Sequence, residues 1–303
     1  MPALICGSIA FDTITTFPGR FADQILPEQV HILNVSFLVP TLRREFGGCA
    51  GNIAYNLAAL GGEALPLAAV GPDAGSYLER FAALGIPTDH VRVEPESYTA
   101  QAMIITDADN NQITAFHPGA MQHAHRIDVP ARDDIAVAII APDGRDAMLL
   151  HADQLARRGL PFIFDPGQGL PMFEGAELDR FVSQARWVAV NDYEGRMLCD
   201  RMGTDLASLS RRPHLDGVVV TLGAEGCEVW IGGECRRVPP VAAREVVDPT
   251  GCGDAFRAAL LYGLERRWSL ERCAELGNRL GSLKIGSRGG QNHTVDRAAL
   301  ALA

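Results

Sequence analysis

Short runs of β-branched and apolar residues alternate with longer stretches of helical periodicity along most of the chain, the pattern of repeated strand–helix–strand units. The runs at 3–9, 65–70, 135–140, 161–164, 187–190, 218–221 and 227–231 are almost continuously apolar, which predicts strands covered on both faces. Helices are predicted at 50–60, 75–84, 193–202, 254–266 and 270–285. A doubly wound, mainly parallel α/β sheet flanked by helices satisfies this order. Such a sheet takes its ligands at the carboxyl ends of its strands.

Two stretches break the alternation. Residues 13–46 are dotted with aromatics and with Pro18, Pro27 and Pro40, and 97–116 alternate like a hairpin around Asp109-Asn110-Asn111. Together they predict a small inserted β-sheet, a lid over the carboxyl edge of the main sheet. The core is then expected at 1–12, 47–96 and 117–303, and the lid at 13–46 and 97–116. Two surface excursions with no lid function are the alternative.

Composition narrows the function. A formal net charge of −10 lacks the basic footprint that nucleic acid requires, so no nucleic-acid partner is expected. The seven cysteines are odd in number and form no CxxC pair, which favours free thiols in a reducing cytoplasm. The amino terminus reads as a first strand rather than a signal peptide, and no apolar run approaches the roughly 18 residues that cross a bilayer, so no membrane partner is expected either.

The most informative segment is Asp248-Pro249-Thr250-Gly251-Cys252-Gly253-Asp254. A strand-like run ends at Val247, and small residues lead into an apolar-periodic helix. Gly251, Cys252 and Gly253 would leave the first amides of that helix bare at its positive dipole end, an anion hole. Asp254 in the first turn adds a carboxylate that the dipole helps keep ionised, placed to accept a proton from an attacking hydroxyl in phosphoryl transfer. A helix start in which Asp254 merely complements the dipole fits the same residues. A second cluster, Gly47-Gly48-Cys49-Ala50-Gly51-Asn52, lets backbone approach a ligand, with Asn52 offering both donor and acceptor and Asp12 adding acceptors suited to a vicinal diol. Glycine packing with Asp12 as a cap is the bland reading of that cluster.

With these residues in view, the chain resembles the ribokinase superfamily, the PfkB family of carbohydrate and nucleoside kinases. The GGCAGN stretch with Gly61 and Gly71 is similar to the family's first signature. DPTGCGDAF is similar to its second, with Cys252 in place of the usual small residue. The resemblance implies a ribokinase-like fold, ATP and Mg2+, with Asp254 as catalytic base, Gly251, Cys252 and Gly253 as the anion hole, and Asp12, Gly48 and Asn52 on the sugar hydroxyls. It places Asn191 near the ATP phosphates and Glu194 near magnesium, although the same pair is nearly a capping box. It sets Thr221, Gly223 and Gly226 at the nucleotide, Asn278 against the adenine, and the loop containing Gly289 near the nucleotide and, in several members, a monovalent cation such as K+.

For the acceptor, Asp23-Gln24-Ile25-Leu26-Pro27-Glu28, Phe116-His117-Pro118-Gly119-Ala120-Met121 and the RGGQNH tail look like the adenosine kinase branch and small bacterial and archaeal nucleoside kinases. Phe17 and Phe116, with Phe21 and Phe37, offer faces on which a purine stacks, unless they only pack the lid or a homodimer formed through it. Gln168 is a further acceptor contact. Arg20, Arg43 and Arg44 keep a sugar-phosphate acceptor open, Arg257 faces either phosphate or solvent, and His123 and His125 read as surface residues. The expected activity is transfer of the ATP γ-phosphate to the 5'-hydroxyl of a purine nucleoside such as adenosine or inosine. A ribokinase or fructokinase and a non-catalytic nucleoside or sugar sensor are the rivals; a dinucleotide oxidoreductase is weakened because the first strand lacks GxGxxG.

Overall fold

The computed structural model describes residues 1–25, 32, 34–298 and 300. Nine strands form one sheet in the order β13 (Glu234–Val238), β12 (Cys227–Ile231), β11 (Gly217–Thr221), β10 (Trp187–Asn191), β9 (Phe162–Phe164), β8 (Val137–Ile140), β1 (Ala3–Cys6), β4 (Ala64–Val70) and β5 (Val91–Val93). Neighbours pair in parallel from β5 to β11, and β12 and β13 are antiparallel at one edge. The mainly parallel sheet expected from the apolar runs is therefore present.

Alternation along each strand divides the core in two. Ile139, Ile163, Ala189 and Val219 join Leu57, Leu260 and Leu280 in one buried cluster, which belongs to helices α1 (Cys49–Ala59), α7 (Cys252–Leu264) and α8 (Leu270–Lys284). Ile140, Phe164, Val190 and Val220 join Met148, Phe181 and Leu198 in the other, with α3 (Arg145–Arg157), α4 (Gly175–Gln184) and α5 (Asp192–Met202). Each face of the sheet is thus buried under helices, which is why its strands tolerate so few polar residues. Helices α3 and α4 and strand β13 were not among the elements anticipated.

A separate four-stranded sheet runs in the order β3 (Thr41–Gly47), β2 (Ala10–Thr16), β6 (Ala100–Thr106) and β7 (Gln112–His117). The β6–β7 hairpin turns where expected: the Asp107 carboxylate accepts the amides of Asp109 and Asn111 at 2.9 and 2.8 Å, and Asn110 takes φ 62°. The first strand is shorter than anticipated. It stops at Cys6, and Asp12 lies on β2 in the small sheet, not at the end of β1. Of the 23–28 segment, residues 26–28 lie outside the described residues. Among the described residues no helix is long and apolar enough to cross a membrane.

Candidate active site

A cavity of about 950 Å³ opens at the carboxyl ends of the core strands, where a doubly wound sheet binds its ligands. The start of α7 forms part of its wall: Gly251, Cys252, Gly253 and Asp254 all line it. Gly251 caps the helix at φ 78°, and a Cβ there would meet Gly290 Cα at 2.9 Å, so the turn requires glycine twice over. The Cys252 amide donates to Pro249 O at 3.1 Å, closing that turn. The Cys252 amide is thus engaged within the turn, whereas helix geometry gives the amides of Gly253 and Asp254 no intrahelical partner.

Asp254 Oδ2 accepts from Asn52 Nδ2 at 2.8 Å. Burial pushes the carboxyl up to about 7; the Asn52 amide opposes this, Asp165 and Asp12 add to it, and Arg257 opposes it. The sequence reading expected the helix dipole to help keep this group ionised; in the structure burial is the largest influence on it. A carboxyl poised near neutrality on the cavity wall suits proton acceptance.

Asn52 is tied into the protein at both ends of its amide: its Nδ2 holds Asp254 and its Oδ1 accepts from Gln291 Nε2 at 3.1 Å. Gly48 caps α1 at φ 84°, with a hypothetical Cβ 2.6 Å from Ser8 O and Ala10 N, so its glycine lets α1 sit against the β1–β2 connection. Asp12 is held up at about 6 by burial and then by the carboxylates of Glu45 and Asp248. Cross-strand register puts Glu45, Asp12, Ala102 and Phe116 in one row on one face of the small sheet. Glu45 Oε2 accepts from Asn292 at 2.7 Å, so that row faces the loop beside α7. Phe116, 49% exposed, stands two strands from Asp12, about 10 Å at ordinary strand spacing. Phe17 packs instead with Phe21 and Phe37, at ring separations of 6.0 and 5.0 Å.

None of Asp12, Phe17, Gly48, Asn52 and Phe116 is in the cavity lining, whereas Thr221, Gly223, Gly226 and Asn278 line it together with Pro240, Val241, Ala242 and Ala243. Asn278 Nδ2 donates to Pro239 O at 2.9 Å and so fixes that apolar segment. Asn191 and Glu194 also line the cavity and form a full capping box: Asn191 Oδ1 accepts the Glu194 amide and Glu194 Oε2 the Asn191 amide, both at 2.8 Å. Gln168 is exposed on the same wall. Gly289 is outside this lining; its amide donates to Asp248 Oδ2 at 2.8 Å. Arg257 is buried and pairs with Asp165 through Nε and Nη2 at 3.1 Å each, while still lining the cavity. Sequence reasoning missed Asp165, and nothing in its local context separates it from a loop aspartate. Arg20 pairs with Asp109, Arg43 with Glu45 and Arg44 with Asp73, and none of the three lines the cavity. Among the described residues no cluster of three or more His, Cys, Asp or Glu is placed to hold a metal, His123 and His125 included.

The model of the pfkB family carbohydrate kinases matches residues 20–297. The chain belongs to this family. It is a phosphotransferase that acts on an alcohol acceptor. Among solved structures, it is similar to the nucleoside kinase of Burkholderia thailandensis in complex with inosine, at 49% identity and TM-score 0.88 over 98% of this chain and 95% of that one. The ADP-inosine complex of the same kinase aligns at 50% identity and TM-score 0.85, over 98% and 93%. A nucleoside kinase of Methanothermobacter thermautotrophicus is 30% identical over 269 residues, 87% of this chain and 85% of the relative.

Proposed function

We propose that this pfkB-family enzyme transfers the γ-phosphate of ATP to the 5'-hydroxyl of a purine nucleoside. The observation that carries this reading is the Asp12–Ala102–Phe116 row, a diol acceptor and an aromatic face about 10 Å apart on one side of the small sheet. That separation matches a ribose with its base, whereas a free sugar leaves Phe116 idle. Similarity to a nucleoside kinase crystallised with inosine and with ADP-inosine supports the same class.

In this mechanism Asp12 accepts from the ribose hydroxyls, Phe116 stacks the base, and the 5'-hydroxyl lies beside Asp254, which takes its proton. Asn52 holds the Asp254 carboxylate toward the cavity. The amides of Gly253 and Asp254 stabilise charge on the phosphoryl oxygens. ATP occupies the wall formed by Thr221, Gly223, Gly226 and Asn278, with the adenine against the apolar segment Pro240 to Ala243. Magnesium fits as an ion carried in with the phosphates rather than caged by protein: Glu194 keeps one carboxylate oxygen free of the capping box and would hold it there, where the ion would neutralise phosphate charge. The small sheet acts as the lid that excludes water from the transfer.

A coupled ADP assay over inosine, adenosine, ribose and fructose tests the assignment. Nucleosides are expected to exceed free sugars in kcat/KM by at least about tenfold, the equivalent of one stacked base. A preference for ribose or fructose would overturn it.

A further inference from the structure

The loop at 286–291 is where the family resemblance implies a monovalent cation, and the residues there do not fit one. Lys284, the last residue of α8, is wholly buried. Its Nζ donates to the carbonyl oxygens of Asp248 at 2.8 Å and Ser287 at 3.0 Å. Backbone carbonyls from two segments are the donor set an alkali ion would use, and here an ammonium already holds them. A metal ion between these oxygens would meet a like charge at hydrogen-bond distance. The Asp248 carboxylate is also committed, accepting the amides of Thr250 at 2.9 Å and Gly289 at 2.8 Å.

The position of this ammonium gives it work. Asp248 begins the turn that ends in the bare amides of α7, and Ser287 lies in the loop whose Gly290 packs under Gly251. The amides of Val247 and Asp248 donate to Ile285 O at 2.9 and 3.1 Å, so the two segments touch on both sides of the lysine. Burial lowers the lysine's affinity for its proton, while nearby groups including the Asp248 and Asp254 carboxylates oppose that. Without the ammonium, two carbonyl oxygens would face each other unsatisfied, and the junction would lose its brace.

We propose that Lys284 is a built-in monovalent cation: a positioning residue that braces the anion-binding turn and makes the enzyme independent of potassium. The proposal rests on the reading of that turn as the phosphoryl site.

The test exchanges KCl for choline chloride at constant ionic strength with inosine and MgATP, in the full-length wild type and in Lys284→Met. Wild-type turnover is expected to change by no more than about twofold, the scale of residual ionic effects at fixed screening. The variant is expected to lose about tenfold or more in kcat in choline, with nucleoside KM little changed, and to regain activity on addition of K+ or ammonium. Activation of the wild type by about tenfold in KCl would overturn the proposal. So would a variant as active as wild type in choline, or an anomalous rubidium peak between Asp248 O and Ser287 O in wild-type crystals soaked in RbCl. Should Lys284→Met fail to fold, the wild-type salt series and the rubidium map decide. Absence of turnover with any nucleoside in either salt would instead fail the kinase reading, leaving the rubidium map to judge the lysine.

Discussion

Asp254 concentrates the chemistry of the site in one carboxyl group. As the proposed base it must be ionised, so kcat/KM should fall about tenfold per pH unit below its value near 7. Asn52→Leu removes the amide that favours the ionised form, and the acid limb of the pH–rate profile should move to higher pH; a limb that stays in place would detach Asn52 from this role. Asp254→Asn should lower turnover by roughly 10² to 10⁴ with little change in ATP affinity, measured by steady-state kinetics and ATP titration. The same substitution carries a stability signature. The folded-state pKa near 7 lies above the ordinary aspartate value of 3.8, so the wild-type residue costs nothing at low pH and progressively more as pH rises between those values. Thermal melts should show Asp254→Asn equal to wild type near pH 4 and more stable at pH 8. Equal melting temperatures at pH 8 would mean that burial does not shift this group.

At the scale of elements, the start of α7 is held by its neighbours more than by its own capping residues. Gly251→Ala must adopt a positive φ and press on Gly290, which predicts a loss of about 1–3 kcal/mol in chemical denaturation together with impaired turnover. A variant with wild-type stability would show that the turn relaxes at little cost. Such closeness also marks the limit of sequence reading. The strands and α7 were legible because periodicity and a glycine-rich junction are local signals. The capping box at Asn191 and Glu194 was legible for the same reason, and the structure shows that the cap forms without removing either residue from the cavity wall. Occupancy was not legible. That Asn52 is engaged at both ends and that Arg257 pairs with Asp165 depend on partners 92 to 239 positions away in the chain. The helices α3 and α4 escaped for a different reason: their charged outer faces dilute the apolar stripe that buries Met148, Leu155, Leu178 and Phe181.

In the whole molecule, the proposed function asks two sheets of different character to serve one site. The core sheet is sealed under helices on both faces, whereas β7 of the small sheet is exposed along its entire length. Aromatic residues alone could not tell lid packing from ligand contact. The structure separates them, sending Phe17 into a ring cluster with Phe21 and Phe37 and leaving Phe116 on the row with Asp12. Phe116→Ala should therefore raise the KM for inosine by about fivefold to a hundredfold, the value of one base stack, and leave any activity on ribose unchanged. A parallel loss on both acceptors would place Phe116 in the framework of the sheet instead.

Asp12 rides on the small sheet, and only residues 7–9 separate that sheet's first strand from the first strand of the core. On the proposed reading, grip on the acceptor and enclosure of the phosphates become one mechanical event. A water molecule, having no paired hydroxyls to offer Asp12, would gain no hold on the element that shuts the chamber, and idle consumption of ATP would be suppressed without a separate gatekeeper.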